Sequence, residues 1–137
     1  MATIINYGAT VRTPITNGLN IPIELGAKEI ATTSVYIDPA NPASYSNRVE
    51  LKASIGVIGD FGLPKILVRI LRAGHEIYYG LAGVESNFEN YSIINVLTVD
   101  GAPLGVQNYQ LAIENQSPGT TARVVGPLVF TATAIGG

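Results

Sequence analysis

Few residues of this chain have the chemistry that catalysis or metal binding requires. His75 is the only histidine, and it lies in a predicted turn beside Gly74 and Glu76. A catalytic or metal-binding histidine needs partners, and the sequence offers neither a second histidine nor a cysteine. We therefore predict that His75 is a surface turn residue.

Acidic residues in predicted loops are the next candidates. Glu85 and Glu89 could act as the paired carboxylates of a glycosidase if they faced each other across a cleft. Asp38, Asn41 and Asp60 could offer oxygen ligands to calcium, but the regular Asp-x-Asp spacing of a calcium loop is absent. No nucleophile elbow, phosphate loop or dinucleotide fingerprint occurs. From the sequence we therefore predict that the protein is not an enzyme. We assign no catalytic, cofactor-binding or metal-binding residue.

The seven tyrosines could form a platform for sugar rings. Most of them lie in strand-like segments, where aromatic side chains commonly pack across neighbouring strands; these include Tyr36, Tyr78, Tyr79, Tyr91 and Tyr109. A carbohydrate-binding module therefore remains an alternative function.

The composition favours a subunit of an assembly. Only 13% of the 137 residues are charged, about half the usual share, and 47% are hydrophobic. Surface charge keeps proteins apart, so a folded chain with so little of it should tolerate close packing against its neighbours. The net charge is −2 and the basic residues are scattered, which argues against a nucleic-acid partner.

The sequence also argues against membrane insertion and Sec-dependent export. No run is long and apolar enough to span a bilayer. The first residues lack the basic and apolar regions of a Sec-type signal peptide. If the protein works outside the cell, we expect it to leave by another route.

Short alternating segments predict an all-β fold. Strand-like stretches separated by Gly, Pro, Asn and Asp turns recur along the chain, with no helical pattern between them; they cover residues 2–12, 19–25, 30–37, 49–57, 66–71, 77–84, 91–99 and a last pair within 106–135. We predict an antiparallel β-sandwich or jelly roll of about eight or nine strands. The turn at residues 115–119 predicts that the last two strands form a β-hairpin.

The first strand is set apart by a predicted flexible joint. Thr13-Pro14 and the following turn residues separate it from the rest of the chain. We therefore divide the chain into an N-terminal arm (1–15), a hinge formed by Thr16, Asn17 and Gly18, and a jelly-roll domain (19–137). The arm could pair with its own sheet or with a neighbouring subunit.

Several segments resemble the exosporium protein C type of small spore-surface protein from endospore-forming Firmicutes. The resemblance extends over nearly the whole chain and lies in residues 4–7 (IINY), 47–56 (NRVELKASIG), 70–77 (ILRAGHEI), 83–86 (GVES), 109–115 (YQLAIEN) and 125–130 (VGPLVF). It implies a non-enzymatic protein of the outer spore layer with a jelly-roll core. Related spore-surface jelly rolls build fibres by lending an N-terminal strand to the next subunit. The cysteine-rich connector of some such fibres is absent here, so any assembly would be noncovalent.

The leading hypothesis is a subunit that polymerises head to tail by strand donation at an extracellular or spore surface. The arm would add to an edge of the next molecule through backbone hydrogen bonds, and its alternate side chains would fix the register; the predicted donor residues are Ile4, Ile5, Tyr7, Ala9 and Val11. Head-to-tail donation does not close on itself and gives a filament. Other spore-surface proteins are further potential partners. The alternatives are a trimeric jelly-roll coat protein without fibres and a carbohydrate-binding module.

Overall fold

The computed structural model describes residues 2–87 and 90–137, and it contains nine strands and one short 3-10 helix. In chain order these are β1 (Thr3–Thr13), β2 (Ile21–Pro22), β3 (Lys28–Ile37), the 3-10 helix (Pro42–Ser46), β4 (Arg48–Phe61), β5 (Lys65–Arg72), β6 (His75–Gly83), β7 (Tyr91–Asp100), β8 (Gly105–Asn115) and β9 (Thr121–Gly136). No helix within these ranges is long and apolar enough to cross a membrane.

The strands form two antiparallel sheets that pack as a sandwich. The first has the order β1-β9-β4-β7, with the two-residue β2 also paired to β9, and the second has the order β3-β8-β5-β6. After β2 each strand lies in the opposite sheet from the strand before it, except that β5 and β6 are neighbours in the second sheet; these two sheet orders are those of a jelly roll. The predicted fold class is confirmed.

The core lies between the two sheets and follows the period of two in the sequence. In β4, Val49, Leu51, Ala53, Ile55 and Val57 are buried, as the alternation predicts. β5 is a central strand between β8 and β6, as its apolar run predicts. The largest fully buried side chains are Tyr109 and Phe130, which come from facing central strands. Burial of this alternating apolar set holds the two sheets together.

The predicted hairpin at the end of the chain is wrong. β8 pairs with β3 and β5, whereas β9 pairs with β1 and β4, so the two strands lie in different sheets. The turn between them crosses the sandwich, and Asn115 organises it through side-chain hydrogen bonds to Thr120. Turn residues alone specify a change of direction, and both strands are apolar enough to be central in a sheet of their own.

Two further predictions are corrected. The expected strand over residues 19–25 is reduced to the two residues of β2, and Leu25 is exposed rather than aligned with buried Ile23. The expected loop over residues 38–47 contains the 3-10 helix, whose N-cap Asn41 accepts a hydrogen bond from the Ala43 N–H at 3.0 Å. Short helices of this kind follow from local capping, which strand periodicity does not report.

Candidate assembly surfaces

The predicted donor segment forms β1, an edge strand of its own chain. β1 pairs antiparallel with β9 from Thr3 opposite Gly136 to Thr13 opposite Leu128, with irregularities between Ile4 and Asn6 and again between Val11 and Thr13. In the order β1-β9-β4-β7 this strand forms one edge of the first sheet. In this structure β1 therefore lies in its own jelly roll. We call its position along the edge of β9 the β1 seat.

The polar face of β1 lies against the edge of β3 in the opposite sheet. The backbone N–H of Tyr36 donates to Asn6 Oδ1 at 2.9 Å, and Arg12 Nη1 donates to the Ile30 carbonyl at 2.9 Å. Thr10 Oγ1 donates to the Thr32 carbonyl. These side chains satisfy edge groups that would otherwise be open to another strand, so β1 caps β3.

Gly8 permits the close approach of these two strands. A Cβ placed on residue 8 would lie 2.0 Å from the Ser34 carbonyl oxygen. The face of β1 that meets β3 therefore carries polar residues at alternate positions and a glycine at position 8, where a side chain would not fit.

The apolar side chains of β1 point away from this contact. Tyr7 is 59% exposed and Val11 56%, and Ala9 and Ile4 are also exposed. Ile5 differs, because the irregularity after Ile4 turns it toward the core, against which it packs in part. Within its own chain, β1 therefore places one of the five predicted donor side chains against the core. Their role in a neighbouring molecule stays a prediction.

The predicted hinge residues lie in a loop that is exposed to solvent but folds against neighbouring strands. Asn17 has φ of 64°, and its Oδ1 accepts a hydrogen bond from the Tyr91 hydroxyl at 3.3 Å. A Cβ on Gly18 would lie 2.0 Å from Thr13 Oγ1, so the loop folds closely on the end of β1. All three residues are exposed; Gly18 lies close to the end of β1, and Asn17 is hydrogen-bonded to β7.

The loop joins β1 to β2 without reversing the direction of the chain, and it is longer than the connection requires. Thr13 lies opposite Leu128 and Ile21 opposite Val124, so β1 and β2 run in the same direction along one edge of β9. That step along β9 spans roughly 13 Å. Residues 14–20 could extend to roughly 23 Å, so they are looped out rather than taut.

The opposite edge of the same sheet is β7, which pairs with β4 alone in the described part of the chain. Its outward-facing residues form an apolar row of Tyr91, Ile93, Leu97 and Val99, interrupted by Asn95, and all five are exposed. The strand contains no proline, and its single charged residue, Asp100, stands at its end. It has none of the features that usually keep an edge strand from pairing.

The residues that could do chemistry remain apart. His75 is exposed at the start of β6, Asp60 pairs with Arg123 at 2.8 Å, and Asp38 Oδ1 accepts the Ala40 N–H. Residues 2–87 and 90–137 contain no group of three or more His, Asp or Glu side chains that could hold a metal ion. Glu85 is exposed, and Glu89 lies outside the described residues.

Three polar side chains between the sheets, Arg72, Asp100 and Tyr109, are hydrogen-bonded to one another. Arg72 and the Tyr109 hydroxyl both donate to Asp100 Oδ2, the latter at 2.9 Å. The hydrogen bond to Asp100 raises the pKa of Arg72 further above its ordinary value. Burial raises the pKa of Tyr109, and its hydrogen bond to Asp100 adds to the effect. The three groups tie β5, β7 and β8 together across the sandwich, and sequence spacing gave no sign of this contact.

One tyrosine lies in a groove of mixed polarity on the outer face of the second sheet. Tyr79 is 69% exposed beside Leu67 and Leu81, in a groove of about 480 Å³. Arg69 borders the groove and donates to Glu76 Oε2 and Glu114 Oε1, both at 2.6 Å. An aromatic ring next to fixed polar groups can bind a sugar.

Comparisons with known proteins bear little on function. No protein-family model matches the chain, and no curated protein matches it. Among solved structures, the chain is similar to the crystal structure of the infectious bursal disease virus VP2 subviral particle, with 9% sequence identity and a TM-score of 0.27. The match covers 98% of this chain and 40% of the viral chain. The strand order of the two sheets therefore defines the fold.

Proposed function

We propose that this protein is a structural subunit that self-assembles head to tail by donating β1 to the neighbouring copy. The observation that carries the proposal is the position of β1. It is an edge strand held in a seat formed by the edges of β9 and β3, and it is joined to the rest of the chain by the looped-out residues 14–20. Following the resemblance to spore-surface proteins, we propose an extracellular or spore surface as its location.

The bonds that hold β1 are the same whichever copy supplies the strand. Backbone pairing with β9 and the side-chain bonds to β3 can form within one molecule or between two. Exchange of an identical element costs little free energy, and the balance depends on the connecting segment and on concentration. Serial exchange of β1 along a row of molecules would produce a filament with no covalent links.

Strand donation can be tested with cysteines, because the chain has none of its own. Ala9 lies opposite Thr131, and both positions face outward. We would mix separately purified Ala9→Cys and Thr131→Cys proteins, allow assembly and oxidise them. Directly opposed residues on neighbouring strands are close enough for a disulfide.

The mixture should give an intermolecular disulfide between the two variants only if β1 of one copy occupies the seat of another. A mixture of Ala9→Cys with Val106→Cys, an exposed position on β8, is the matched control. If only monomers or particles of one fixed size form and no 9–131 dimer appears, strand donation is wrong and a closed oligomer such as a trimer is favoured.

A carbohydrate-binding module is the second candidate, and the groove at Tyr79 favours it. Binding to an array of immobilised glycans should then fall at least tenfold in Tyr79→Ala. Tyr45, which is equally exposed but lies in the 3-10 helix, provides the control substitution Tyr45→Ala. Equal binding by the two variants, or no binding at all, would remove this candidate.

A further inference from the structure

The four sheet edges of this sandwich are unequally protected. The edge of β3 is capped by Asn6, Thr10 and Arg12 of β1. β6 carries Glu76, two glycines and an irregular pairing with β5, features that discourage strand addition. β7 lacks such protection along most of its length, and β1 keeps a regular stretch from Asn6 to Val11 between its two irregularities, with Gly8 as its one glycine. These are the two outer strands of the same sheet.

The directions of these two strands suit each other. Each neighbouring pair in the order β1-β9-β4-β7 is antiparallel. A sheet of four such strands has outer strands that run in opposite directions. A second copy moved sideways, without being turned over, would therefore bring its β1 antiparallel to β7 of the first. Such a contact joins two different surfaces and can repeat without limit.

The side chains at the two edges are also compatible. The outward residues Ile4, Tyr7, Ala9 and Val11 on β1 and Tyr91, Ile93, Leu97 and Val99 on β7 lie on the same outer face of the sheet. Pairing would place the two apolar rows side by side and remove part of each from water. Neither row contains a charged residue, so no like charges would oppose each other.

We propose that the free edge of β7 binds the free edge of β1 of a second copy, so that the first sheet continues from one molecule into the next. The inference rests on the proposed self-assembling function, and it assigns a lateral contact that strand donation alone does not supply. The strand in the β1 seat presents the same free edge whether it belongs to that molecule or was donated to it.

The test uses a set of single cysteines on each edge. Full-length Tyr7→Cys, Ala9→Cys and Val11→Cys proteins are each mixed with Ile93→Cys, Asn95→Cys and Leu97→Cys proteins and oxidised. All six positions are exposed, and those on β1 lie between its two irregularities. Ser34→Cys on the capped edge of β3 replaces the β1 variants in the control mixtures.

Antiparallel pairing predicts that the efficient cross-links share one sum of residue numbers, such as 7 with 97, 9 with 95 and 11 with 93. Cross-links spread evenly over the nine mixtures, or no more frequent than with Ser34→Cys, would overturn the inference. A 9–131 cross-link without these would leave strand donation standing and the lateral contact refuted. The reverse result would leave the lateral contact standing and refute donation.

A charge placed on the edge gives an independent measurement. Leu97→Lys should reduce the sedimenting fraction of assembled protein at least tenfold, since a lysine on an edge strand opposes pairing. The matched control is Val106→Lys, because Val106 is 63% exposed and Leu97 is 65% exposed. Equal sedimentation of the two variants would contradict the assignment of β7.

Discussion

Gly8 sets the distance between β1 and β3. The Cβ of Gly8→Ala would meet a backbone carbonyl rather than a movable side chain, so one strand must shift. We expect Gly8→Ala to lower the free energy of unfolding by about 1–3 kcal/mol, as other overpacked sites do. Chemical denaturation would measure it. At Gly101 an added Cβ meets nothing within 4 Å, so Gly101→Ala should be neutral or slightly stabilising. Equal effects of the two substitutions would refute the close contact.

Tyr109 makes the free energy of unfolding depend on pH in the alkaline range. Its folded-state pKa is raised above the unfolded value, so its contribution is fully present below about pH 10 and is lost as pH rises toward the folded value. Between those values the free energy of unfolding should fall by at most about 1.4 kcal/mol per pH unit. Denaturation at several pH values should show this slope in the native chain and a shallower one in Tyr109→Phe. Identical slopes would contradict it.

At the scale of single elements, the sequence predicts the existence of most strands and the inward residues of the central ones. The predicted arm covers β1, and the predicted hinge lies in the following loop; their roles as donor strand and joint stay predictions. The alternation in β1 shows two faces but not which of them meets protein. Asn6 and Arg12 lie toward the edge of β3 and form hydrogen bonds with its backbone. This contact depends on a strand distant in sequence.

Strand pairing does not follow from local sequence patterns. Residues 115–119 have the composition of a hairpin turn, yet β8 and β9 lie in different sheets. Turn chemistry is local, whereas the choice of sheet depends on which apolar strands pack against each other. The contact of Arg72 and Tyr109 with Asp100 escaped prediction for the same reason.

If β1 is donated as we propose, the length of the loop after it limits how far the strand can reach. Deletion of Thr16, Asn17 and Gly18 leaves residues able to span the roughly 13 Å along β9 but little spare length to reach a neighbour. We expect this deletion to reduce the 9–131 intermolecular cross-link several-fold while the monomer stays folded by circular dichroism. Thr16→Ser combined with Asn17→Gly keeps the length and should retain the cross-link. An undiminished cross-link in the deletion would show that the loop is not the hinge.

At the scale of the whole molecule, low charge and unprotected edges point to the same conclusion. A net charge of −2 offers little repulsion between copies, and two outer strands of one sheet remain open to pairing. The side chains with potential chemistry are separated or already paired within the described ranges. These features support our proposal that the protein associates with further copies of itself.

The central claim is that assembly requires β1 to leave its own seat, and a reversible lock tests it most directly. In the double variant Ala9→Cys, Thr131→Cys, oxidation at low protein concentration would fix β1 to its own β9, where the two residues are opposed. Negative-stain electron microscopy would then follow assembly after concentration. All chains compared carry Leu97→Lys, so that the lateral contact of β7 does not contribute. We predict filaments from the chain without cysteines, only single particles from the oxidised variant, and filaments again after reduction. Filaments from the oxidised, intramolecularly locked protein would contradict the account.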